Sequence, residues 1–247
     1  MKEKSKKRVD RLKVMIATPT RSGSVNSKYV ESLVTVIGQS WVSSSMDLEG
    51  GCRVTWAVAS GVSNIVAGRN KLANDFLRSD NDVLLWVDDD TTWVPTHFDA
   101  MVEAIDRGEW AGCIPQIKLI PVNDLLSGKL ETTSGGFYIE GRLYCRQTGF
   151  GFAFFHRKVF EKMVKEQRVP LMKDKGGDFY GFHNPIIKER QLLSEDLSFC
   201  DRVDQSGFRI AVVGEDGVGH KNVVEYPGIP VDYIRKTVEA KGVSSDK

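Results

Sequence analysis

Two kinds of apolar run alternate along the first half of the chain. Leu12 to Thr18 is short and largely apolar, and Pro19 breaks it, which predicts a first strand. Lys28 to Gly38 carries Val30, Leu33, Val34 and Ile37 at the spacing of one helix face. Val54 to Ala59 predicts a second strand. Asn64 to Leu77 predicts a helix whose apolar positions, Ile65, Leu72, Phe76 and Leu77, are interrupted by Arg69, Asn70 and Asn74. Val83-Leu84-Leu85-Trp86-Val87 is apolar throughout, the pattern of a strand covered on both faces in a largely parallel sheet. Pro95 opens a helix running to Ile105, since proline suits a first helical turn, and Ala111 to Ile117 predicts a further strand. Strand and helix in alternation predict an α/β fold with a doubly wound, mostly parallel sheet.

The second half is less regular. Thr132 to Arg146 predicts a hairpin or an irregular antiparallel piece, Phe150 to Phe155 a strand, and Val159 to Lys165 a short helix. Residues 168–190 are rich in Gly, Lys and aromatics with little periodicity, which predicts a long loop and a candidate lid. Ser194 to Ser206 predicts a helix and Arg209 to Val213 a last strand. The organisation expected is a basic tail over 1–11, one α/β domain over 12–233, and a polar tail over 234–247.

Composition narrows the class without naming a chemistry. The 247 residues are 41% hydrophobic and 27% charged, ordinary for a globular chain with a sizeable core. Thirty-four Lys and Arg against 33 Asp and Glu leave a net charge of +1, so no global field draws a polyanion. Residues 1–13 do hold seven Lys and Arg. That reads as a solvated end, or more sharply as a contact for nucleic-acid or lipid phosphates. Cys52, Cys113, Cys145 and Cys200 are too dispersed for a zinc cluster or a disulfide framework, so reduced thiols and a cytoplasmic location are expected. No apolar run has the length of a membrane span, which leaves peripheral membrane contact open.

The sharpest chemistry is Asp88-Asp89-Asp90, directly after the Val83–Val87 run. Open α/β sheets place ligand crevices at the C-terminal edges of their strands. Along an extended chain Asp88 and Asp90 point to one side and Asp89 to the other. Carboxylates that close repel each other and resist burial; a hard divalent cation resolves both problems, and Mg²⁺ typically takes one or two carboxylates plus substrate phosphates. An acidic loop capping the next helix explains the same residues equally well. Ser194 is a good N-cap that puts Glu195 and Asp196 in a first helical turn, where acids favour the helix dipole with or without catalysis.

Taken in order, Asp88-Asp89-Asp90, Thr148-Gly149-Phe150-Gly151-Phe152, Ser194-Glu195-Asp196 and Gly219-His220 make the chain resemble a GT-A glycosyltransferase, closest to small family 2-like enzymes of bacteria, phages and large viruses. The resemblance covers roughly residues 12–222. It implies a Rossmann-like half with a mostly parallel sheet and a smaller mixed acceptor-side half. It implies Mn²⁺ or Mg²⁺ held by Asp88 and Asp90 and completed by His220, with Asp89 beside the donor. It implies a nucleotide held by Thr18, Pro19 and Arg21, with Arg69 and Asn70 near the diphosphate. Asp196, with Glu195, would be the general base of an inverting member. The donor implied is a nucleotide-diphosphate sugar, UDP-sugar favoured and UDP-glucose the example. The acceptor is open among a glycan, a lipid-linked sugar, a protein and a hydroxymethylated DNA base. Two alternatives stand beside this: a nucleotidyltransferase on the same metal site, and a non-catalytic module that binds nucleotide sugar or glycan. His97, His156 and His183 fall in no motif and are expected to be structural.

Overall fold

The computed structural model describes residues 11–45, 51–61, 63–115, 118–122, 125–129, 133–134, 136–214, 216–221 and 225–226. The two terminal tails expected from the sequence lie almost wholly outside them. Eight strands form the central sheet: β1 (Lys13–Thr20), β2 (Arg53–Ser60), β3 (Val83–Val87), β4 (Ala111–Cys113), β5 (Phe137–Ile139), β6 (Arg142–Cys145), β7 (Phe152–His156) and β8 (Ile210–Val212). Five helices accompany them: α1 (Ser27–Ser45), α2 (Ile65–Arg78), α3 (Pro95–Asp106), α4 (Arg157–Lys165) and α5 (Glu195–Gln205). The strand order is β2-β1-β3-β7-β4-β8-β6-β5. β1 pairs in parallel with both β2 and β3, and β4 pairs in parallel with β8. β7 and β6 run against their neighbours.

The chain is therefore an α/β protein with a large, mostly parallel central sheet, as the alternation predicts. Six of the eight strands run in one direction; β7, from the second half, inserts antiparallel between β3 and β4, and β6 runs antiparallel between β8 and β5.

Residue parity explains why the central strands are apolar throughout. Val14 and Ile16 of β1 and Val83, Leu85 and Val87 of β3 pack with Tyr29, Leu33 and Val36 of α1 and Phe98 and Met101 of α3. Met15 and Ala17, with Leu84 and Trp86, pack into the opposite cluster with Leu72 and Phe76 of α2, Phe160 of α4 and Phe199 of α5. Each face thus has its own core, and a strand between two cores has no polar face to show. All five residues of β3 are buried.

Local chemistry sets the boundaries. The Asn64 side chain accepts from the Val66 N–H and starts α2. Arg157 closes the other end of α2, donating to the carbonyls of Phe76, Leu77, Ser79 and Asn81. The long loop expected over 168–190 is corrected to two hairpins, Leu171–Asp174 with Gly177–Tyr180 and Ile187–Lys188 with Gln191–Leu192. Their strands run two to four residues and three of the four are exposed throughout, so they carry none of the periodicity that betrays a strand. Their bases are fastened. Asn74 both accepts from the Tyr180 N–H and donates to the Tyr180 carbonyl, and Arg202 donates to the carbonyls of Arg168, Phe182 and Asn184.

Candidate active site

The C-terminal edge of β3 carries the acidic trio. Asp88 continues the parity of Leu84 and Trp86 and faces the side of the sheet covered by α2 and α5. The chain then turns, and the Thr91 N–H donates to the Asp88 carbonyl at 3.0 Å. The extended alternation expected through Asp90 therefore stops at Asp88. The Asp89 carbonyl accepts from the Asn26 backbone, which ties the turn to the loop after β1. Thr91–Thr92 next pairs antiparallel with Gly219–Lys221, and the register sets His220 opposite Thr91. The backbone thus brings His220 beside the acidic turn from the far end of the chain; its side chain is outside the described residues.

Arg69 joins two of the acidic groups. Its Nη2 donates to both Asp88 carboxylate oxygens, at 3.0 and 3.2 Å, and its Nε lies 3.7 Å from Glu195 Oε1. The side chain is 3% exposed. Its guanidinium carbon sits 5.4 Å from the Trp86 ring centroid and 5.1 Å from that of Phe150, so aromatic faces line the path of the buried cation. Nε and Nη1 make no hydrogen bond. A buried guanidinium between two carboxylates thus keeps donors on two of its nitrogens without a hydrogen-bond acceptor.

The carboxylates are electrostatically crowded. Burial pushes the Asp88 carboxyl up to about 6, Arg69 opposes the rise, and Asp90 and Asp196 add to it. Burial also raises Glu195, with Asp196 the next cause. Ser194 caps α5, and its hydroxyl bonds the Asp196 carboxylate at 3.2 Å. Asp88 thus feels both Asp90 beside it and Asp196 across the edge of the sheet, although 108 residues separate Asp88 from Asp196 in sequence. Hard oxygen donors under mutual repulsion fit a divalent ion such as Mg²⁺ or Mn²⁺. Among the described residues no three His, Cys, Asp or Glu form a ready ligand cluster. Two carboxylates with ligand phosphates completing the shell is the arrangement the donor set suits.

The other expected nucleotide contacts are placed less openly. The Thr18 hydroxyl is buried and shared by the Tyr29 hydroxyl and the Trp56 indole N–H. Pro19 is buried, and Arg21 is the exposed member of that group. Asn70 is buried with its amide committed: it donates to Asn184 Oδ1 and accepts from the His183 N–H, each at 2.8 Å. The neighbouring aromatics Trp93, Phe150 and Phe152 are core residues.

The remaining histidines have structural surroundings. His97 accepts from the Val94 N–H at the start of α3, and His156 accepts from the Lys158 N–H at the start of α4. His183 is fully buried, stacked on Phe199 at 4.6 Å and edge-on to Trp86 and Phe150. Burial holds it well below the ordinary histidine range, so a neutral ring sits in the aromatic layer around Arg69. Sequence patterning marks Asn74 as a polar interruption of α2 and leaves His183 structural, but it shows neither their partners nor the clamp made by Arg202, because those contacts join segments far apart in the chain.

No family model matches the chain. No curated protein matches it. Among solved structures it is similar to the crystal structure of 4-diphosphocytidyl-2C-methyl-D-erythritol synthase from Anaerococcus prevotii DSM 20548, at 10% identity and a TM-score of 0.31, over 63% of this chain and 77% of that one. A likeness this slight bears on neither substrate nor chemistry.

Proposed function

We propose that the protein is a metal-dependent glycosyltransferase that moves a sugar from a nucleotide-diphosphate sugar, UDP-sugar favoured, to an acceptor hydroxyl with inversion. The observation that carries this reading is Arg69, buried between Asp88 at the edge of β3 and Glu195 at the start of α5, with Nε and Nη1 making no hydrogen bond. Asp88 and Asp90 would hold Mn²⁺ or Mg²⁺, with His220 a further ligand. When bound, the ion would neutralise charge on the diphosphate of the departing nucleotide.

Arg69 supplies a second positive centre for the same oxygens. Its low-dielectric aromatic surroundings make that interaction stronger than it is in water, and it grows as the leaving group gains charge. Asp196 accepts the proton of the attacking hydroxyl. Glu195, engaged by Arg69, keeps the two halves of the site in register. The exposed Arg21 and the loop after β1 are the expected nucleotide side.

Incubation with Mn²⁺ and a panel of nucleotide sugars tests the reading. Slow release of nucleoside diphosphate is expected, with Asp90→Ala losing metal-dependent donor binding. Asp196→Asn should keep donor binding and lose transfer by about 10²–10⁴-fold, the usual scale for a missing base. Release of pyrophosphate would instead identify a nucleotidyltransferase, and affinity without turnover a binding module. Transfer at the parental rate by Asp196→Asn would reject the base assignment.

A further inference from the structure

Beside the face that carries Arg69, α2 presents a second face toward the Leu171–Asp174/Gly177–Tyr180 hairpin. A cavity of about 340 Å³ lies between them, within the size range of small-ligand sites. Lys71 and Arg78 on one wall, each also paired with Asp75 of the same helix, stand across from Asp174 and Asp178, so the lining charges balance and neither cation is left over to draw an anion. Half-buried Phe179 and the thioether of Met172 add apolar surface between these polar groups.

The walls hold their positions. Asn74 is bonded to both backbone groups of Tyr180, and Asn70 to Asn184. The second amide contact of Asn184 is poor: its Nδ2 faces the Met172 sulfur at 2.8 Å. Sulfur is a weak acceptor, so that N–H keeps most of its capacity for a better one. The hairpin turns through Gly177 at φ +111, a conformation side chains rarely adopt, and a Cβ there would meet nothing within 4 Å.

Donors and acceptors in balance, next to an aromatic ring, match a ring that carries hydroxyls on its edge and C–H groups on its face. We propose that this cavity binds a neutral oligosaccharide, as a subsite for the part of the acceptor distant from the reacting hydroxyl. Its role as an acceptor subsite rests on the transferase reading; the binding itself does not.

Calorimetric titration of the full chain with maltotetraose, cellotetraose and chitotetraose, without metal or nucleotide, tests it. At least one should bind with a Kd of about 1 mM or tighter. Ala67 is an exposed α2 residue in the cavity wall, and Ala67→Trp fills the space without touching the core. It should weaken binding by about tenfold or more, a loss of about 1.4 kcal/mol, and leave nucleoside diphosphate release unchanged. Phe179→Ser, which removes the ring and leaves α2 intact, should weaken binding as well. Asp90→Asn should do the opposite, sparing saccharide binding and losing donor turnover. Absence of binding by all these saccharides, or binding unaffected by either cavity variant, overturns the proposal. Saccharide binding that persists in a protein unable to turn over any nucleotide sugar would remove the donor reading and leave the cavity standing.

Discussion

Asp88 and Arg69 set the behaviour of the acidic edge. Asp88 has its carboxyl pushed up to about 6 by burial, with Arg69 the main opposing influence. Removing that cation in Arg69→Met should drive the Asp88 titration above pH 6, and carboxyl NMR would read the shift directly. A proton and a metal ion compete for the same oxygens. Mn²⁺ affinity at Asp88 should therefore be full well above pH 6 and fall about tenfold per pH unit below it, where one proton must leave for each ion bound. Calorimetry across pH 5 to 8 checks this; a flat profile would mean Asp88 is not a ligand. At this scale the sequence was legible where residues cluster. Asp88 to Asp90 and Glu195-Asp196 stand out as motifs, and the fold does bring them within electrostatic reach. Arg69 was visible as a polar interruption of an apolar helix face, but its partners were not. The resemblance alone suggested Thr18 as a nucleotide contact, and the fold shows its hydroxyl shared by Tyr29 and Trp56.

At the scale of elements, caps and clamps decide what the sheet presents. His97 begins α3 by accepting the Val94 N–H, which requires a neutral ring, and burial lowers its pKa to about 4. The unfolded chain, with an ordinary histidine, takes up its proton near pH 6.5. Stability from this group is thus complete above about pH 6.5 and is lost as pH falls toward 4, a swing on the order of 3 kcal/mol from the size of the shift. Asp88 acts in the reverse sense, since a raised carboxyl favours the fold as pH falls through about 6. His97→Asn should remove the first contribution and leave the second, so its acid unfolding midpoint should move to lower pH than the parent's. Asn74→Ala tests the hairpin clamp. It deletes both bonds to Tyr180 and the donation to the Asn70 carbonyl, at a cost of about 2–3 kcal/mol if each bond contributes its usual share. Amide exchange over 171–180 should accelerate more than exchange in β3. Helices were the legible elements, because 3.6-residue periodicity is local; α2 and α3 end within a residue of their expected positions. The hairpins over 171–192 were not, because strands of two to four residues, most of them exposed, are too short to show an apolar pattern.

Across the whole molecule, the sequence foretold alternation but not the partner of each strand. A strand buried on both faces reads alike whether its neighbours run parallel or antiparallel. Nothing in Phe152–His156 shows that it leaves the second half of the chain to separate β3 from β4. That insertion depends on Gly112. Gly112 of β4 lies opposite Phe154 of β7, and a Cβ at Gly112 would fall 2.4 Å from the Phe154 ring and 3.0 Å from the Ala211 carbonyl. The Phe154 ring thus crosses the space a side chain at 112 would need, and β4 can pair with β7 and β8 together only as glycine. Gly112→Ala should destabilise the protein by about 1–3 kcal/mol, the usual cost of overpacking. The contact with the ring is closer than the contact with the carbonyl, so Phe154→Leu in the same chain should recover part of that loss. A coupling of about 0.5–3 kcal/mol in the double-mutant cycle, measured by denaturant unfolding, is expected for residues in direct contact. Additive effects would place the strain at Ala211 instead. β7 also pairs with β3, whose edge carries Asp88, so the single variant should weaken Mn²⁺ binding as it loosens the sheet, and the double variant should restore both together.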